Sequence, residues 1–435
     1  MKRVLSLLLV VSSTWATEYT AKDLVEMALQ NNREIRASQR EVEASRLELR
    51  AARGAYFPRL KLEETYTRTD LPVYAFMMRL QQERLGPQDL ANINNPPTTS
   101  NFETKFTLEI PIWLGGKVQA GVSLAEKNYK ASLLESERLR QDVVLKTYEA
   151  YIDASVAKES IKVAQQAVKD AKEHVRLAKQ MNQVGVALFS DVLRAQVYLS
   201  SALQKEEEAK NAYKVAKKGI ELVVGKPLGE FDVKGVEGCP TVQIEDLKKE
   251  ALVRRKDLKA LEERINMMRS MYYYVLSDNL PQIYAFGSYI LSSKDRPFGS
   301  GGSGYLIGVG LSWTFDTGLT TFHKAQSQLE RERSLREKLK LMQEKVLFDL
   351  DKNYADYVNA LNAYTSAQDR VKASEEVVRV METRYRNGLA RMVDLLDAQT
   401  ELDKARFDLV KATGECNKAY VRLLHTAGVL GEVLP

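Results

Sequence analysis

The sequence predicts a mostly α-helical chain that carries four short membrane strands, with the whole block of elements present twice. Three observations predict this. Val184-Gly185-Val186-Ala187 and Asp191-Val192-Leu193-Arg194-Ala195-Gln196 return 203 residues later as Asn387-Gly388-Leu389-Ala390 and Asp394-Leu395-Leu396-Asp397-Ala398-Gln399. Upstream, Ala28-Leu29, Glu34-Ile35 and Pro58 answer to Ala251-Leu252, Asp257-Leu258 and Pro281. Between these echoes the apolar pattern switches from a helical period to a period of two and back, in the same order in both halves.

The chain divides into residues 1–16, a first repeat over 17–224, a connecting segment over 225–246, a second repeat over 247–426 and a tail over 427–435. Lys2 and Arg3, the apolar run Val4 to Val11 and the small-residue ending Thr14-Trp15-Ala16 read as a secretory signal peptide, too short to span a membrane. Its removal lowers the formal charge from +6 to +4. No polybasic run is present, so charge does not argue for a nucleic-acid partner. Two cysteines, Cys239 and Cys416, exclude a disulfide framework. One bridge between them is open, and nothing in the sequence places them together.

In each repeat a long polar, Ala-rich stretch follows the strands. Ile161, Ala164, Val168, Ala171, Val175 and Ala178 step alternately by three and four, a seven-residue repeat on a helix. The second copy reads Tyr364, Ala367, Val371, Ser374, Val378 and Met381. Helix is expected from about Lys117 to Asn182 and from about Thr320 to Asn387, each about 100 Å long at 1.5 Å per residue. Gly185 and Gly388 stop these helices before the chain resumes as helix, so they read as tips of helical hairpins.

Four segments alternate. They are Arg59–Thr69, Asn101–Leu114, Pro281–Leu291 and Tyr305–Phe315, each with an apolar face over about the length a tilted membrane strand needs. Residues 70–100 and 292–303 read as their connecting loops. Gly299 to Gly304 matches a phosphate-cradling glycine pattern, but a strand follows where that pattern needs a helix. Four strands cannot close a barrel, and an open sheet in lipid leaves unpaired backbone groups at several kcal/mol each. Several chains must therefore share one barrel. The competing class is a periplasmic coiled-coil structural or adaptor protein with a soluble β-sheet.

Catalytic chemistry is missing from the pattern. His174, His323 and His425 are scattered, without metal-ligand spacing, and read as surface histidines. No nucleophile elbow or Walker lysine is present, so neither an enzyme nor a cofactor is expected.

The chain resembles the TolC family of outer-membrane efflux channels over nearly its whole mature length. The residues that carry the likeness are Phe57-Pro58 and Leu280-Pro281 opening strands, Ile110-Pro111-Ile112-Trp113 and Trp313-Thr314-Phe315-Asp316-Thr317-Gly318 closing them, and Gly388 with Val393 to Ala398. The resemblance implies a homotrimer with a twelve-stranded barrel in outer-membrane lipid and a helical tunnel in the periplasm of a Gram-negative-type envelope. It implies a periplasmic adaptor and a proton-driven or ATP-driven inner-membrane pump as partners, with Gly185 and Gly388 marking the tips that dock the adaptor. Asp394 and Asp397 match aspartates that ring the channel entrance. Three copies give six carboxylates there, which attract cations. Asp397 has no acidic counterpart in the first repeat, where Arg194 stands. Asp191, Ser190 and Tyr385 match a latch between hairpins. Its arginine does not match: Ala390 fills that place and Arg391 comes one residue later, so Arg391 is expected to pair with an acid of an adjacent hairpin.

Overall fold

The computed structural model describes residues 17–236, 238–241 and 245–430. The expected signal peptide lies outside them. The chain forms two units, each built from separate stretches.

The first unit comprises 17–40, 134–259 and 340–430. Helix α1 (Ala21–Asn31) starts at Thr20, whose hydroxyl accepts from the Asp23 N–H while Asp23 accepts from the Thr20 N–H. The chain breaks at Asn32, whose side-chain oxygen accepts from the N–H groups of Glu34 and Ile35, and helix α2 (Arg33–Gly54) begins there. The connecting segment contributes a short strand. Thr17–Tyr19 (β1) pairs in parallel with Phe231–Val233 (β4). Leu24, Ile35, Ile152, Ile220, Leu350 and Leu424 are at the centre of the core.

Cys239 and Cys416 are bonded across 177 residues of sequence, with Cα atoms 5.8 Å apart. The residues from 427 on were expected to be a tail, but Ala427, Val429 and Leu430 are buried in this core. Gly428, at φ +75°, turns the chain so that the Val429 N–H reaches the Leu424 carbonyl at 3.0 Å.

The second unit comprises 41–133 and 260–339 and holds a four-stranded antiparallel sheet. Its strands are β2 (Arg59–Thr69), β3 (Thr99–Leu114), β5 (Gln282–Ser293) and β6 (Gly302–Ser312), paired in the order β2-β3-β5-β6. The last strand stops short of the expected Phe315. Its partner β5 begins at Gln282, after Pro281, so nothing pairs beyond Ser312. Trp313 instead donates its indole N–H to the Asn279 carbonyl at 3.1 Å, and Asp316 accepts from the Thr321 N–H at 2.7 Å at the start of the next helix.

Strand parity divides the sheet into two faces. One carries Leu60, Leu62, Leu108, Phe106, Tyr305, Ile307 and Val309. Its β6 residues are strongly exposed, Tyr305 at 79% and Ile307 at 76%. The other carries Arg59, Lys61, Glu63, Glu103, Lys105 and Glu109 on β2 and β3, with Phe286 and Leu306 among its glycines and serines on β5 and β6. Tyr66 and Phe102 stack at one end of the apolar face, and Trp313 and Phe315 stack beyond the other end of β6. That is the pattern of a membrane strand with aromatic borders.

The connection between β2 and β3 is not the structureless loop expected. It folds into helices α3 (Pro72–Gln81) and α4 (Pro87–Ala91), each with proline at its first position. Arg79 pairs with Asp89 to join them.

Two long helices run as expected, α5 (Lys117–Gln183) and α9 (Thr320–Arg386). Each turns at its glycine into a second helix, α6 (Phe189–Val224) and α10 (Met392–Thr426). Helices α7 (Glu245–Arg254) and α8 (Lys256–Leu276) lead into the second pair of strands. Among the described residues no helix is long and apolar enough to cross a membrane.

Candidate channel entrance

All the singled-out residues lie at the two hairpin turns of the first unit. Gly185 sits at φ +76° and Gly388 at φ +72°, backbone conformations that L side chains rarely adopt. The Val186 N–H reaches back to the Met181 carbonyl at 2.9 Å, and the Leu389 N–H to the Arg384 carbonyl at 2.9 Å. Both turns thus end their helices with the same backward bond. The turns touch: a β-carbon on Gly388 would lie 3.5 Å from the Val186 side chain. Val175, Ala178, Val192, Ala195, Tyr385, Met392, Leu395 and Leu396 form one core beneath them.

Arg391 precedes α10 and is held within its own helix. Its guanidinium forks onto Asp394 at 2.8 and 3.2 Å, and its N–H donates to the same carboxylate at 3.1 Å. The Arg391 bonds hold the Asp394 carboxyl below its ordinary range, while that carboxylate raises Arg391, with Asp397 adding to the field. Asp394 therefore serves as the first-turn acid of α10 and carries a bound counter-charge. Asp397 is exposed one turn further on, and among the described residues no cation pairs with it. Of the two carboxylates expected at the entrance, Asp394 is thus balanced by Arg391 and Asp397 is left exposed.

Asp191 occupies the same first-turn position of α6, half-buried, and Ser190 beside it is exposed. Tyr385 is buried at 3% exposure, and its hydroxyl finds no hydrogen-bond partner among the described residues. Burial, with the nearby Asp191 charge adding to it, pushes its phenol up to about 12. Tyr385 and Asp191 are thus brought close, while Arg391 is engaged elsewhere. Around the first turn the surface is apolar: Val184, Leu188 and Phe189 are each more than 60% exposed, as is Leu389 on the second.

Sequence reasoning missed a polar network one step deeper. His174, expected on the surface, is buried, with Nε2 3.2 Å from the Gln399 side-chain oxygen. Gln399 donates to Asp403 at 3.0 Å, Tyr198 donates to the other Asp403 oxygen, and Arg406 pairs with Asp170 at 3.3 Å and Glu375 at 3.1 Å. Four helices thus meet in one chain of bonds. Burial holds the Asp403 carboxyl above its ordinary value of 3.8, with the Asp170 charge adding to burial against the bonds from Tyr198 and Gln399. The signal available in sequence was the spacing of Gln399, Asp403 and Arg406 by four and three, which puts them on one face of α10. His425, also expected on the surface, lies half-buried with Nε2 2.7 Å from Asp142.

A sheet with one exposed apolar face and paired helical hairpins are the elements of an outer-membrane channel chain. The comparisons with known proteins agree. A family profile described as outer membrane efflux protein matches residues 24–226 and 247–429, and the chain belongs to that family. It is similar to the alkaline protease secretion protein AprF of Pseudomonas aeruginosa, 26% identical over 331 residues. That stretch is 70% of this chain and 66% of the relative, so the chain spans about two thirds of that protein's length. It is 23% identical to the outer membrane protein TolC of Escherichia coli over 438 residues, 95% of this chain and 83% of that one. Its fold matches the crystal structure of the Campylobacter jejuni CmeC outer membrane channel with a TM-score of 0.79, at 16% identity, covering 94% of this chain and 86% of the other. The chain is a non-catalytic outer-membrane efflux channel, and family membership overturns the reading as a soluble periplasmic coiled coil.

Proposed function

We propose that three copies share one twelve-stranded barrel and form a passive exit duct, fed by an inner-membrane pump through a periplasmic adaptor. The observation that carries this is the sheet itself. It has an apolar face and two unpaired edges, β2 and β6. In lipid each open edge leaves backbone groups without partners, so closure by further copies is required. Four strands from each of three chains leave a lumen, whereas eight would be filled by side chains.

The hairpin turns are the entrance. Asp397 supplies the net negative charge, Arg391 and Asp394 form a clamp within each chain, and Asp191 and Ser190 present the surface a neighbouring hairpin meets, with Tyr385 buried beneath them. The apolar skin around Gly185 and Gly388 suits docking by the adaptor's own helices. One relative is named for protease secretion and another for an efflux pump, so we assign cargo choice to the pump and not to the duct.

The test is a planar bilayer. The detergent-extracted protein should run as a heat-modifiable trimer and conduct with cation preference. Asp397→Asn should lower the cation-to-anion permeability ratio several-fold, and Arg391→Gln should raise it. A freely soluble monomer would sink the shared barrel. A trimer with unchanged selectivity in Asp397→Asn would sink the entrance assignment alone.

A further inference from the structure

The connection between β2 and β3 carries an apolar surface that the duct reading does not use. Helix α3 rests on its own sheet through its C-terminal end. Gln82, 1% exposed, donates to the Asn101 side chain and to the Ser100 carbonyl, both at 2.8 Å. Arg79 donates to the Thr99 hydroxyl at 3.0 Å. A β-carbon on Gly302 would collide with the Gln81 carbonyl, so the helix end is pressed against the start of β6 as well.

Parity tells which face this is. Asn101 pairs with Thr67 and Thr99 with Thr69, so both lie on the side of Lys61, Glu63 and Lys105. Helix α3 therefore covers the charged face, on the side away from lipid. Its own core contacts are Ala75 and Met78. Val73, Tyr74, Met77 and Leu80 point the other way, between 45% and 72% exposed. Val73, Met77 and Leu80 step by four and three, which makes a continuous stripe. A stripe of this kind turned toward an aqueous lumen lacks a partner.

We propose that α3 of each chain packs through this stripe on the α3 helices of two further copies, closing the outer mouth of the barrel with a threefold apolar plug. The inference rests on the shared barrel, and strand order supplies the partner. Closure pairs the free edge β6 of one copy with the free edge β2 of the next. Helix α3 ends on the start of β6, and the neighbour's α3 begins three residues after the end of its β2. The same seam that joins the strands thus brings the end of one α3 beside the start of the next. Lipid is the poorer occupant because the helix sits on the charged face. The Arg79–Asp89 pair braces α3 against α4. Opening such a plug requires α3 to lift from Thr99 and Asn101, so cargo passage and plug release are coupled.

Two measurements test this, and each leaves the trimer independently visible in unboiled gels. Met77→Cys treated with a short bis-maleimide should give covalent dimers in boiled samples, at least ten times the yield of Lys61→Cys. In intact cells, Thr107→Cys, on the charged face below the plug, should react slowly with a membrane-impermeant maleimide of several kilodaltons. Adding Tyr74→Glu and Met77→Glu should speed that reaction at least tenfold, and the milder Met77→Ser serves if the double variant does not assemble. A stable trimer with no cross-link and equal labelling rates overturns the plug while leaving the duct intact. Quenching of a Met77→Cys fluorophore by brominated lipid would assign α3 to the bilayer and overturn it too. Absence of any trimer removes both readings.

Discussion

In α5, Ala164, Val168, Ala171, Val175 and Ala178 are all buried within the protomer. At the matching positions of α9, only Ala367 is buried, and Val371, Ser374, Val378 and Met381 are half-buried. The two hairpins repeat one block and share one turn geometry, yet the second keeps part of its seam open. They also differ at the helix that follows the turn. Helix α6 starts with Asp191 and no side-chain cap bond, whereas α10 starts with Arg391 clamped on Asp394. A duplicated pattern specifies helix and turn. Which surface stays open depends on what packs beside each copy, and in the proposed trimer the open stripe of α9 is the surface left for a neighbouring chain.

The largest expected effect tests whether the two turns are one body. Leu395 is fully buried in the core they share. Leu395→Ala should cost about 2–5 kcal/mol by loss of buried surface and the cavity left. Hydrogen exchange should speed at both turns together. Faster exchange around Gly388 with no change around Gly185 would break the comparison into two independent tips.

Backbone strain should not distinguish the turns. Gly185→Ala and Gly388→Ala each force an L side chain into the left-handed region, at about 1–2 kcal/mol. Space is no obstacle at either position, since a new methyl meets nothing within 4 Å at Gly185 and an ordinary contact at Gly388. Matching losses in the thermal midpoint would sharpen the view that side-chain chemistry, not the turn, separates the hairpins. A clearly larger loss at one glycine would refute it.

The smallest effect is a slope with pH, at the place where the hairpins join. Asp403 accepts from Tyr198 of α6 and Gln399 of its own helix and lies in the field of Asp170 from α5 and Arg406 from α10, with His174 of α5 bonded to Gln399 and Glu375 of α9 bonded to Arg406. Its folded pKa is raised above its unfolded value, so the folded protein holds that proton more tightly. The resulting stability is fully present below the ordinary carboxyl range and is lost as pH rises through the raised value. Asp403→Asn should flatten that slope in thermal melts. A slope of the same size in the variant would place its origin elsewhere.

Much of the fold was readable locally. The boundaries of α5 and α9 follow from an unbroken heptad-like stripe between strand and glycine, and β2 follows from strict alternation. Trp313 and Phe315 misled because a strand ends where its partner does, and the partner starts after Pro281. The connection between β2 and β3 departs from a plain loop because two of its four prolines, Pro72 and Pro87, stand at helix starts. For the entrance, residue positions were readable but pairings were not. Arg391 matched no expected place, and its choice of Asp394 depends on the local geometry of the cap.

Period, glycine position and the duplication determined, without coordinates, that this chain makes two helical hairpins and four membrane strands, because these signals act over a few residues of backbone. The bond between Cys239 and Cys416, the burial of His174 and the seating of α3 on the charged face of the sheet needed the folded chain. Each joins groups far apart in sequence, and no local pattern encodes the distance between them.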